Sequence, residues 1–155
     1  MLMKDKTIRN IRLCCYIALL FCVIWAVLMI VHFIQLFDGK EFLDWANNRL
    51  LIIGFFLAYV ISSFFCVLLC IKFVLNTFKG LRDNTPFPKS NVRLLFWLAL
   101  ALFVYLLCWI NEPVLFNAIL FRFVSINILI PFFILFFAFM YKVAADAVEE
   151  NNLTI

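Results

Sequence analysis

The side chains in this chain best suited to redox or metal chemistry are six cysteines, Cys14, Cys15, Cys22, Cys66, Cys70 and Cys108, and one histidine, His32. Cys66 and Cys70 form C-x-x-x-C, one residue longer than the C-x-x-C of thiol oxidoreductases, and no second pair lies in a connecting loop to relay electrons. Zinc sites usually gather four Cys or His ligands, and His32 falls toward the far end of its apolar run from Cys14, Cys15 and Cys22. No metal, cofactor or catalytic residue is assigned. H-E-x-x-H, G-x-S-x-G and a phosphate-binding glycine loop are all missing from the sequence, so the reading is non-enzymatic. A small proton-coupled exporter would need a carboxylate deep in an apolar run, and no Asp or Glu sits deep in one.

The elements that must position these residues follow from composition. With 68% hydrophobic residues, 14% charged residues, 21 phenylalanines and a mean hydropathy of +1.12, the chain has more apolar surface than a soluble core of 155 residues could enclose. Four runs reach the roughly 20 residues that a helix needs to cross a hydrocarbon layer of about 30 Å: residues 13–37, 50–71, 94–110 and 123–141. Isolated strands could not satisfy their backbone in lipid, so the expected fold is all-α, an up-and-down four-helix membrane bundle forming one domain over 1–155. The N-terminal apolar run is too long for a secretory h-region and lacks a small-x-small cleavage site, so it is expected to stay in the mature protein.

Basic residues sort between the connecting segments. Lys4, Lys6, Arg9, Arg12, Lys72, Lys79, Arg82, Lys89, Arg93 and Lys142 fall on one side of the alternating runs, and only Lys40, Arg49 and Arg122 on the other. This asymmetry predicts that both termini, the loop 72–93 and the tail 142–155 are cytoplasmic, in a membrane of the bacterial cytoplasmic type. These charges hug the membrane, so direct nucleic-acid binding is not expected. In the loop, Pro86 and Pro88 should force the second helix to end earlier, near Gly80, and Ser90 or Asn91 should cap the third.

Small residues recur every fourth position on the first two runs: Cys14, Ala18, Cys22 and Ala26 on one, and Gly54, Ala58, Ser62, Cys66 and Cys70 on the other. The spacing predicts two facing ridges that let helix backbones approach closely, with the cysteines as packing residues. Toward the outer side, His32, Gln35, Asn111, Glu112, Asn117, Arg122 and Asn127 are the polar residues that could form a site. The segment 111–122 is too short to cross and should lie along the outer interface, with Asn111 as its cap and Pro113 in its first turn. Trp45 and Trp109 are candidate belt aromatics, Asn127 is the most submerged of the polar groups, and Pro131 marks an expected bend.

The loop residues Gly80, Pro86, Phe87, Asn91, Val92 and Arg93, leading into an apolar run, and the closing "EENNLTI", Glu149 to Ile155, resemble a family of small four-span bacterial membrane proteins that is a domain of unknown function. The likeness covers the whole layout, although family members more often carry an acidic residue where this chain has Asn152. Members are often encoded beside a small helix-turn-helix regulator, so the resemblance implies a cytosolic DNA-binding protein as partner. The docking residues it points to are Arg82, Pro86, Phe87, Asn91, Arg93, Glu149, Glu150 and Leu153. The expected function is a regulatory or scaffold protein. Alternatives are a membrane self-protection or stress protein and a small transporter or pore subunit, with a homo-oligomer left open.

Overall fold

The computed structural model describes residues 5–38, 49–83, 85, 87–116, 122 and 126–153. Four α-helices account for most of them: α1 (Asp5–Asp38), α2 (Arg49–Arg82), α3 (Lys89–Ile110) and α4 (Leu129–Leu153). Short 3-10 turns at Glu112–Phe116 and Ile126–Ile128 flank the connection between α3 and α4, and there is no strand among the described residues. All four helices are long and apolar enough to cross a membrane. Their outward faces carry Leu20, Phe21, Leu68, Phe133 and Phe137, each more than half exposed, a surface that is stable only against lipid.

Each helix packs chiefly on its neighbour in sequence: α1 on α2, α2 on α3, and α3 on α4. The two middle helices carry the core. Within their most apolar stretches 39% of α3 residues are buried against only 11% of α1, so α1 is a peripheral helix with most of its circumference toward lipid. One core cluster joins Met29 and Phe33 of α1 to Tyr59 and Val67 of α2 and Cys108 of α3. A second joins Cys66 and Leu69 of α2 to Leu94, Ala101, Leu102 and Leu106 of α3.

Several helix ends differ from the sequence-based expectation. The second helix continues to Arg82, and Gly80 lies inside its last turn rather than stopping it. Thr85 donates its N–H to the Gly80 carbonyl at 2.8 Å, folding the chain back so closely that a Cβ at Gly80 would collide with the Thr85 carbonyl oxygen. Close approach, not a left-handed backbone, requires glycine here. Neither Ser90 nor Asn91 caps α3, because the N-cap is Pro88, extended at φ −65° and ψ 128° with no side-chain cap. Pro131 sits in the first turn of α4, just after the 3-10 turn Ile126–Ile128 gives way to α-helix, a position that tolerates its missing N–H. Beyond the apolar run, α4 continues as helix through the acidic tail to Leu153. Pro86, Trp45 and Asn117 lie outside the described residues.

Candidate functional site

The proposed small-residue ridges are redrawn by the helix geometry. On α1 the buried residues are Cys15, Cys22, Met29 and Leu36, seven apart, together with Phe33 one turn after Met29, while Cys14 is exposed and Ala18 and Ala26 are half-buried. Four residues turn about 400°, so an every-fourth series drifts about 40° per step around the helix; seven residues fall only about 20° short of two turns and stay on one face. The same drift leaves Gly54 and Ala58 of α2 exposed, and a methyl group at Gly54 would meet nothing within 4 Å. At that end the α1–α2 seam is filled by large rings instead, with Phe33 against Tyr59 at 5.1 Å and Phe56 at 6.0 Å. Ser62 is buried, with its hydroxyl donating to the Tyr59 carbonyl of its own helix at 3.1 Å. Cys66, fully buried, faces α3, whereas Cys22 and Cys70 meet across the α1–α2 seam. Among the described residues no group of three His, Cys, Asp or Glu side chains could hold a metal ion.

At the α2–α3 loop, Asn91 is fully buried, projecting from the first turn of α3 between α2 and α4. Its Nδ2 reaches Thr77 Oγ1 at 3.0 Å, the Tyr141 hydroxyl at 3.2 Å and the Phe73 carbonyl at 3.4 Å. One amide thus ties three helices together, which removes Asn91 from the set of residues able to touch a partner. A polar residue just before an apolar run reads as surface until the neighbouring helices are placed.

Around this brace the loop and tail join. The Phe87 ring rests on Tyr141 with centroids 5.4 Å apart, and Tyr141 rests on Phe73 at 5.9 Å, yet Phe87 keeps 40% of its surface exposed. Lys89, which precedes the apolar part of α3, pairs with Glu149 and lies 3.5 Å from Asp146. The hydrogen bond to Glu149 is the main reason its ammonium is held above the usual lysine range. Arg82 and Arg93 are exposed, Arg82 3.7 Å from its neighbour Asp83. Glu149 and Glu150 are exposed on α4, while the side chain of Leu153 and all of Pro86 lie outside the description.

The opposite end of the bundle holds a polar cluster that draws two of the expected outer polar residues, His32 and Glu112, together with Tyr59. His32 Nε2 lies 3.0 Å from Glu112 Oε2, and the Tyr59 hydroxyl donates to the same oxygen at 3.3 Å and lies 3.5 Å from His32 Nε2. Tyr59, buried inside α2, was missed altogether, because an aromatic within an apolar run carries no local mark of a polar role. Asn111, also buried, closes α3 and the loop after it: its Nδ2 donates to the Leu107 and Arg122 carbonyls, each at 2.8 Å, and its Oδ1 accepts from the Arg122 N–H at 2.6 Å. It therefore caps the end of α3 instead of only starting the next segment. Gln35 is exposed, Arg122 enters through its backbone N–H and carbonyl, and Asn127 sits in the 3-10 turn before α4. Compared with known protein families, curated proteins and solved structures, the chain has no match.

Proposed function

We propose that this chain is a non-enzymatic integral membrane protein of the bacterial cytoplasmic membrane, with both termini cytosolic, whose loop and tail form one surface for a soluble partner. The partner class is a small helix-turn-helix transcriptional regulator, the class implied by the family that the loop and tail residues resemble. The observation that supports this reading is the joining of loop to tail: Lys89 on Asp146 and Glu149, and Phe87 on Tyr141, both seated on the buried Asn91 brace. Exposed ion pairs of this kind contribute little to stability, so their value lies in arrangement. With Lys89 taken up by the tail, Arg82 and Arg93 are exposed on the same loop region as the half-exposed Phe87, which supplies basic groups and an apolar anchor. Basic and aromatic groups at such a patch are the usual carriers of binding energy.

The test is in-cell photo-crosslinking from position 93 in the full chain, with identification of what is captured. A DNA-binding protein that is lost on Phe87→Ala and on deletion of residues 149–155, with membrane insertion unchanged, fits the proposal. Capture at wild-type yield by both variants places docking elsewhere, and capture of lipid or copies of the chain alone removes the soluble partner.

A further inference from the structure

The loop–tail reading leaves His32, Tyr59 and Glu112 without a role, although they come from three separate elements and converge on one carboxylate oxygen. His32 lies within two turns of the end of α1 and Glu112 in the turn after α3, with side chains 39% and 24% exposed, so the pair sits partly buried near the end of the bundle, within reach of protons from solvent. Glu112 Oε2 already accepts from two donors, the Tyr59 hydroxyl and, when Nε2 carries its proton, the imidazole of His32. Among the described residues, the titratable groups facing this oxygen are His32 from α1 and Tyr59 from α2, with Tyr105 and Cys108 of α3 behind Tyr59. No lysine or arginine among the described residues pairs with Glu112.

We propose that His32, Tyr59 and Glu112 form a proton-controlled latch that holds the 3-10 segment Glu112–Phe116 against α1 and α2 and releases it when the carboxylate takes up a proton. The chemistry is one proton transferred from solvent to Glu112. If the proton lands on Oε2, one of its two former donors must turn acceptor, and the charge-assisted bonds to the carboxylate give way to weaker neutral ones. If it lands on Oε1, the carboxylate loses the charge that made both bonds strong. In either case the imidazole loses its anionic partner. What remains to hold the segment is apolar: Leu115, 2% exposed, packs with Ile52 against Phe55 and Phe56. Asn111 and the Arg122 backbone hold together on the α3 side and need no proton, so the segment Glu112–Phe116 can leave α1 and α2 while its base stays fixed. This mechanism does not depend on the loop–tail reading, nor on which side of the membrane this end faces.

The experiment uses the full chain in phosphatidylcholine nanodiscs, titrated from about pH 8 to about pH 2.5, a range that extends well below the ordinary carboxyl value. Infrared difference spectra should show, among the signals of the nine acidic side chains, a protonated-carboxyl component on acidification that is missing in Glu112→Gln. Hydrogen exchange, corrected for the intrinsic pH dependence, should show protection of residues 112–116 falling on acidification in the wild type. In Glu112→Gln that protection should be low and independent of pH. Tyr59→Phe, which keeps the ring in the core, should move the loss of protection to higher pH. Protection that is unchanged by acid in the wild type, or that falls equally in Glu112→Gln, overturns the latch.

Discussion

Asn91→Ala should be the most damaging single substitution at the loop end of the bundle. The amide has two hydrogens and three acceptors within reach, at 3.0, 3.2 and 3.4 Å, so about two bonds are served at once. Interhelical bonds within membrane proteins average about 0.6 kcal/mol, which gives about 1 kcal/mol for the pair. Removing a buried side chain also leaves a cavity, and three missing heavy atoms add about 1 to 3 kcal/mol, at the low end because a polar group is being removed. The total is about 2 to 4 kcal/mol. Phe73 is partly protected, since its carbonyl still accepts from Thr77 Oγ1 at 2.9 Å. Asn91 Oδ1 is buried without a partner among the described residues, so Asn91→Leu fills the volume and also removes an unsatisfied atom. It should cost about 1 kcal/mol, clearly less than the alanine variant. Reversible unfolding in mixed micelles, followed by circular dichroism, measures both. A cost below about 0.5 kcal/mol for Asn91→Ala, or a leucine variant worse than alanine, would refute the brace.

Gly80→Ala should destabilise by about 1 to 3 kcal/mol in the same assay, because its methyl group meets the Thr85 carbonyl oxygen, whereas Gly54→Ala should change stability by less than about 0.5 kcal/mol. Cys66→Ala, at a fully buried site between α2 and α3, should cost about 1 kcal/mol, and Cys14→Ala, on the lipid face, should be silent. Reporter fusions at Asn10, Asp83 and the C-terminus should read as cytosolic and one at Asn47 as external; a cytosolic signal at Asn47 reverses the orientation drawn from the basic residues.

The helices were legible because lipid imposes a simple demand. A run of about 20 apolar residues has few alternatives to a spanning helix, and the breaks at Pro86, Pro88 and the polar connections mark where such runs stop. Packing within the bundle was less legible. The spacing of Cys14, Ala18, Cys22 and Ala26 looks like a ridge on paper, but the seam follows Cys15, Cys22, Met29 and Leu36, since contact over nine turns tolerates only the slow drift of a seven-residue repeat. In a helix so apolar, sequence alone does not say which side meets protein. The meeting of tail and loop could be anticipated from opposite charge, although which lysine engages depends on Lys89 opening α3 beside α4. The His32–Glu112 contact joins residues 80 apart through a turn after α3, and no local pattern encodes it.

The serial packing also decides whether the two polar ends can influence each other. α1 packs chiefly on α2 and α4 on α3, so anything passing from the His32 cluster to the loop–tail surface must travel through the middle pair. The shortest covalent path runs along α2 from Tyr59 to Thr77, 18 residues or about 27 Å of continuous helix. That stretch contains no proline or glycine, and Cys66, Val67, Leu69 and Val74 along it are buried. A helix clamped in this way transmits a rigid shift well but absorbs local changes poorly, because packed cores move between discrete arrangements rather than bending continuously. A latch that displaces only the 3-10 segment generates no such shift. The stability costs of Tyr59→Phe and Asn91→Ala should therefore add to within about 0.5 kcal/mol in the double variant, the behaviour of independent sites. An interaction energy above about 1 kcal/mol would instead show that α2 carries strain from one end to the other, and the latch and the docking surface would then be two parts of one device.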